Sequence, residues 1–232
     1  RATFPSKHDW TSIMRDNIRA FVRIAAEAFQ LKGPVYEFGA FQVDPADSDG
    51  DLRTCFEGRE FIGCDLRRGP GVDRVEDLAA LSLPNESAQT IVCVDTLEHV
   101  FEARKAVDEM IRVLAPGGII LLAAPMDFRV HNYPADYWRM TPSCIDRLMA
   151  PLDATLLGSQ GVESFPHTVF GIGAKAPVSS DFVHGANRFI SGYQRFLDTA
   201  AQHAPWSKKF KRKLVSWLRS KGERRRMQQF YR

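Results

Sequence analysis

The stretch Val35–Val43, VYEFGAFQV, decides how this chain is read. Two apolar residues lead into an acid, Glu37, and then to a glycine, Gly39, at the start of a short loop. The pattern predicts a β-strand that delivers an acid to its carboxyl end, followed by a turn whose glycine lets backbone approach a ligand without a Cβ in the way. Acids recur at matching places. Asp65 closes a second apolar run, Phe61–Asp65, and Asp77 stands in RVEDLAAL. Asp95 closes a third run, Thr90–Asp95, and a fourth, Gly118–Ala124, follows Pro116-Gly117-Gly118. Short, almost wholly apolar runs of this kind are expected of parallel strands covered on both faces. In such sheets ligands lie outside the carboxyl ends, and an acid ending the second strand accepts hydrogen bonds from ribose hydroxyls, since a carboxylate offers two oxygens to two neighbouring donors.

Between these runs lie helical patterns. Trp10, Ile13, Met14, Ile18, Phe21, Val22, Ala25 and Phe29 recur at three- and four-residue steps, predicting a leading helix over residues 8–30 that Gly33-Pro34 stops. A second helix is predicted over Ala103–Leu114, ended by Pro116-Gly117-Gly118, and a third from Thr141-Pro142-Ser143 through Met149. Ala154–Gly158 and Val169–Ala174 read as strands joined by a loop that holds His167, and Phe182–His203 as a further helix.

Asp95-Thr96-Leu97-Glu98-His99-Val100 and Arg112-Val113-Leu114-Ala115-Pro116-Gly117-Gly118, with the strand behind it, carry a resemblance to the class I S-adenosylmethionine-dependent methyltransferases. It covers roughly Gly33 to Lys175. It implies an α/β fold: a doubly wound, Rossmann-like, mostly parallel sheet with a terminal antiparallel β-hairpin. It also implies S-adenosylmethionine as cofactor, with Glu37, Gly39 and Phe41 at the methionine end and Asp65 on the ribose. Asp77 and the Leu78 backbone fall on the adenine, with Glu76 as rival, and Asp95 on the cofactor or acceptor side. One departure stands out. The family's turn has three alternating glycines, and here Phe41 and Val43 replace the later two, so a wider path for the loop or a weaker hold on the cofactor is expected.

The stretch Pro125–Pro142, PMDFRVHNYPADYWRMTP, concentrates His, Tyr, Trp and Arg after a strand's carboxyl end. Loops on rigid scaffolds carry function disproportionately. It resembles a loop of methyltransferases from glycan and secondary-metabolite pathways, which implies a sugar, glycan or other small-molecule hydroxyl as methyl acceptor. His131 is the first candidate for general base, because imidazole titrates near neutrality, and His99 the second. Tyr133, Tyr137, Trp138 and Arg139 are candidate acceptor contacts, with a lid locked by Asp136 as the competing reading. Two other function classes stay open: a non-catalytic scaffold on the same fold, and a nicotinamide-dependent dehydrogenase.

The chain has 232 residues and a net charge of +3, which hides an asymmetry. Residues 206–232 hold eleven Lys/Arg and one acid, while residues 1–205 carry a net of −7. Residues 1–180 are read as the cofactor-binding domain and 181–232 as a helical, basic extension. The tail reads as an amphipathic helix for internal packing, a protein partner or an anionic membrane surface; nucleic acid ranks last, because the body is acidic. No apolar run reaches the roughly 18 residues of a bilayer span, and the first residues show no signal-peptide core, so a cytoplasmic protein, peripheral to a membrane at most, is expected. Cys55, Cys64, Cys93 and Cys144 have no metal or redox spacing; reduced thiols are expected, and no metal site is read from the sequence.

Overall fold

The structure is a computed structural model that describes residues 7–43, 50–131, 134–162, 164–203 and 230–231. The basic amphipathic segment 206–219, Tyr133 and most of the acidic loop after Val43 lie outside the described residues.

The strands are β1 (Val35–Phe38), β2 (Phe61–Asp65), β3 (Arg74–Val75), β4 (Ala88–Val94), β5 (Leu114–Pro125), β6 (Ala154–Val162), β7 (Phe165–Ala174) and β8 (Phe230–Tyr231). They form one sheet in the order β3-β2-β1-β4-β5-β7-β6-β8. Pairing is parallel from β3 through β5 and antiparallel from β5 through β7, β6 and β8. The helices are α1 (Lys7–Ala28), α2 (Ala103–Val113), α3 (Pro142–Met149) and α4 (Asp181–His203). Among the described residues no helix is long and apolar enough to cross a membrane.

Strand alternation sorts the core into two layers. Val35, Val92, Leu121 and Ile172 pack with α1, α4 and the 3-10 turn Leu52–Phe56. Phe38, Ile91, Cys93, Ile120 and Leu122 pack with α2 and α3 on the other side. The first layer is tied by an aromatic cluster in which Phe21 of α1 meets Phe170 of β7 at 4.9 Å and Phe189 of α4 edge-on at 5.8 Å. Arg188 of α4 donates two hydrogen bonds, of 2.6 and 3.0 Å, to the Ala28 carbonyl that α1 leaves open at its end.

Three elements differ from the sequence expectation. The Pro116-Gly117-Gly118 turn is drawn into β5 as a bulge: the register against β4 jumps from Ala88↔Leu114 to Thr90↔Ile119. Gly117 adopts the left-handed φ of +73° that the bulge needs, and Lys175 Nζ donates to the Ile111 and Leu114 carbonyls at the α2 terminus. β6 and β7 run far past their apolar cores, so His167 sits in β7 rather than in a loop. Their polar ends pair through a shift at Gln160/Gly161, a long-range ladder that local composition does not announce.

β1 and β4 end side by side where the strand order reverses, the topological switch point of a doubly wound sheet. There the Thr96 hydroxyl lies 3.1 Å from the Phe38 carbonyl and 2.8 Å from that of Val94, and donates to one at a time. Gly39 follows Phe38 with φ +89°, and a Cβ on it would lie 2.0 Å from Thr96 Oγ1. Its glycine character is therefore required by the neighbouring strand end as well as by the turn. We expect Gly39→Ala to destabilise the fold by about 1–3 kcal/mol in urea unfolding. A second change, Thr96→Ala, should recover the steric part of that loss but not the part due to φ.

Candidate functional site

A cleft of about 760 Å³ opens across the carboxyl ends of β1, β4, β2 and β3, within the size range of small-molecule sites. Its floor is Phe38, Gly39 and Phe41 after β1 and Asp95 and Thr96 after β4. Cys64–Arg67 and Glu76–Ala79 form one wall. The other is built from Glu98–Glu102 and from Phe128, Arg129, His131, Pro134 and Tyr137 of the long loop after β5.

On the β2 side Asp65 is aimed by backbone. Its Oδ1 accepts from the Arg67 amide at 3.0 Å and its Oδ2 from the Phe41 amide at 3.4 Å, which leaves lone pairs on both oxygens for further donors. Asp77 Oδ1 accepts from the Ala79 amide at 2.9 Å. Glu76 lines the same wall, but its carboxylate is engaged by Arg74, by the Ser82 amide at 2.8 Å and by the Ser82 hydroxyl at 2.7 Å. Burial works against its charge, yet those Ser82 and Arg74 bonds hold it below the ordinary carboxylate range. Of the two rivals, Asp77 keeps acceptor capacity toward the cleft.

Phe41, standing where a glycine was expected, faces the cleft and carries the Arg67 guanidinium over its ring at 4.4 Å. It also fills the space above Gly69, where a Cβ would come within 2.3 Å of it. The ring thus braces the turn against the loop after β2. Glu37 does not line the cleft. It shares the face of Val35 and Val92, beneath the floor and toward α1. Burial first, and Asp51 next, push its pKa up to about 8 against the pull of Arg53.

Asp95 is held at φ +46°, a conformation uncommon outside glycine. The residue is half-buried, but Oδ1 is enclosed and has no partner among the described residues. Burial lifts its pKa to about 7. Three residues on, Glu98 is fully buried, and neither carboxyl oxygen has a hydrogen-bond partner among the described residues. Burial, and then Asp95, push its pKa well above the ordinary value.

Against Glu98 stand the two candidate histidines, His99 and His131, their rings edge-on at 4.7 Å. His99 Nδ1 faces the Ala135 carbonyl, and His131 Nδ1 faces the Arg129 carbonyl at 3.2 Å and Asp136 Oδ2 at 3.2 Å. Carbonyls and carboxylates only accept, so both Nδ1 atoms carry a proton, and in the neutral imidazoles the lone pair lies on Nε2. Burial lowers the His131 pKa first, and His99 second.

The loop that brings His131 in is clasped by Asp136. That carboxylate takes a bidentate ion pair from Arg139 and a 2.7 Å bond from the His131 amide, which keep it well below the usual carboxylate range. Arg139 also donates to the Phe128 and Arg129 carbonyls, so it is spent on holding the loop. Trp138 Nε1 donates to the Val100 carbonyl at 3.1 Å, with its ring stacked on Phe101 at the rim. Of the candidate acceptor contacts, Tyr137 lines the cleft, Trp138 and Arg139 fix its wall, and Tyr133 lies outside the described residues. Sequence reasoning gave Thr96 and Arg67 no role of their own, and named Glu98 only within the stretch that carries the resemblance; its full burial after a strand end becomes visible only with the fold.

Residues 58–122 match the family model described as "Methyltransferase domain". A curated protein of Mycolicibacterium smegmatis, named "Probable S-adenosylmethionine-dependent methyltransferase", is 31% identical over 141 residues, 60% of this chain and 52% of the relative. The chain thus spans about half the length of that relative. Among solved structures, a methyltransferase of Archaeoglobus fulgidus superimposes with TM-score 0.53 at 15% identity, over 69% of this chain and 94% of the other. The 1,6-didemethyltoxoflavin-N1-methyltransferase of Burkholderia thailandensis, solved with S-adenosylhomocysteine, gives 0.52 at 14% identity over 75% and 92%. The fold is that of the S-adenosylmethionine-dependent methyltransferases. The matched region holds Asp65, Asp77, Asp95, Glu98 and His99, while β1 with Glu37 and Gly39 precedes it.

The raised pKa of Glu37 makes stability depend on pH with a definite sign. A carboxyl whose pKa rises from 4.5 unfolded to about 8 folded leaves its stabilisation intact below pH 4.5 and loses it as pH climbs through 8. Glu37→Gln removes that loss. Its thermal midpoint should match wild type near pH 4 and exceed it by roughly 10 °C near pH 9, as followed by circular dichroism.

Proposed function

We propose that the cleft binds S-adenosylmethionine and that the chain methylates a hydroxyl of a small-molecule acceptor, a sugar, glycan or other metabolite. The observation that carries the reading is the convergence of Asp65, Asp77 and Asp95 on one cleft at the switch point of the sheet. The residues present suit the ligand. Asp65 has free lone pairs for two ribose hydroxyls, and Asp77 with the Leu78 backbone can meet the donor and acceptor edge of adenine. Gly39 and Phe41 floor the methionine end, with Glu37 beneath them, and the enclosed Asp95 Oδ1 awaits a donor.

Bound there, S-adenosylmethionine would supply an activated methyl group on a sulfonium centre. The chain's own work is orientation, exclusion of water and removal of a proton. The clasped loop after β5 and the Phe101–Tyr137 pair, 5.4 Å apart, wall off the acceptor end. The His131 Nε2 lone pair is then the group that takes the acceptor proton, with His99 and Glu98 beside that nitrogen. The acidic body and the basic segment 206–232 support a docking role for that segment, on an anionic surface or a protein partner.

Calorimetric titration with S-adenosylhomocysteine tests the cofactor assignment. Wild type should bind at micromolar concentration, Asp65→Ala should bind at least about tenfold more weakly, and His131→Ala, at the acceptor end, should keep wild-type affinity. Absence of binding to wild type would instead favour a scaffold.

A further inference from the structure

Glu98, His99 and His131 present one ligand atom each, all within 4.8 Å of one another. Glu98 Oε1 lies 3.8 Å from His99 Nε2 and 3.9 Å from His131 Nε2. Those separations are too long for hydrogen bonds. With the imidazoles neutral and both Nδ1 protons committed elsewhere, the atoms that face one another are all electron-pair donors. A fully buried carboxyl group whose two oxygens have no hydrogen-bond partner among the described residues, met by two imidazole nitrogens, is a donor set suited to a positive centre.

We propose that this trio binds a divalent transition ion of the zinc type at the acceptor end of the cleft. Two imidazoles and one carboxylate form a donor set that suits zinc and its neighbours rather than magnesium or calcium. Zinc bonds of about 2.0–2.1 Å place tetrahedral ligand atoms roughly 3.3 Å apart, so Glu98 Oε1 need approach each Nε2 by only about half an ångström, and the two imidazole nitrogens, within 4.8 Å of each other, by at most about 1.5 Å. The supporting shell is already in place. His99 is oriented by the Ala135 carbonyl, and His131 by Asp136, which Arg139 holds in turn. Ligating histidines are commonly fixed through their other nitrogen in this way. Three protein ligands leave a position open toward the cleft, where an acceptor oxygen or water can bind and become more acidic. With the ion in place His131 Nε2 is a ligand, and the base role given to it above belongs to the ion-free protein. The binding claim itself does not rest on the methyltransferase reading.

The test is titration of the full chain, stripped with chelator and kept reduced, with Co(II), followed by competition with Zn(II). Wild type should take up one Co(II) per chain, with visible d–d absorption and no near-ultraviolet thiolate band, because the four cysteines take no part. Glu98→Gln and His131→Gln should each weaken binding at least about 100-fold, and Asp136→Asn, acting through His131, about 10–100-fold. His184→Gln, on the exposed face of α4, should change nothing. Circular dichroism of each variant confirms that it folds. No saturable uptake by wild type, a thiolate band, or affinity unchanged in both Glu98→Gln and His131→Gln would overturn the proposal. No cofactor enters this titration, so its failure and that of S-adenosylhomocysteine binding are separate results.

Discussion

Where β1 and β4 finish together, the Thr96 side chain is packed against the turn that begins at Gly39. Thr96 bonds to the end of β1 and occupies the only space into which a side chain at Gly39 could point. The β1–β4 ladder sets the spacing of the two strand ends, Thr96 packs between them, and the groups of the cleft are placed relative to them. Gly39 leads to Phe41, whose ring and amide engage Arg67 and Asp65. Thr96 leads to Glu98, whose carbonyl accepts from the Tyr137 and Trp138 amides and so docks the long loop that carries His131.

The same edge gathers acids that the fold would be more stable without. Glu37, Asp95 and Glu98 all have raised pKa values, with burial as the first cause in each case. Asp95 adds a left-handed backbone. Groups of this kind concentrate at functional sites, and Asp95 and Glu98, which line the cleft, are the two that burial readies to meet a donor or a cation there. The remainder of the molecule is conventional by comparison, with two apolar layers closing a twisted sheet and an arginine of α4 finishing the end of α1.

Much of the fold could be read from the chain because its central strands are short apolar runs ended by acids, and its helices are amphipathic at a clean period. The polar halves of β6 and β7 could not, since they are strands only by virtue of pairing with each other. Nor could the bulge at Gly117, which exists because β5 must return to register with β4. At the site, Asp65, Asp77 and Asp95 were legible from their strand-end positions. For Glu37 the alternation was readable, but not which face of the sheet would hold α1. The Glu98–His99–His131 group was not legible as a unit, because His131 comes 32 residues after His99 and meets it only when the loop folds back over the turn after β4.

Hydrogen–deuterium exchange with and without S-adenosylhomocysteine tests the central claim, that the carboxyl edge at the switch point is one ligand site. Protection confined to peptides spanning residues 38–43, 64–79 and 95–101, with α4 unchanged, is the predicted result. Unaltered exchange throughout, or protection that appears elsewhere and spares these three segments, would contradict it.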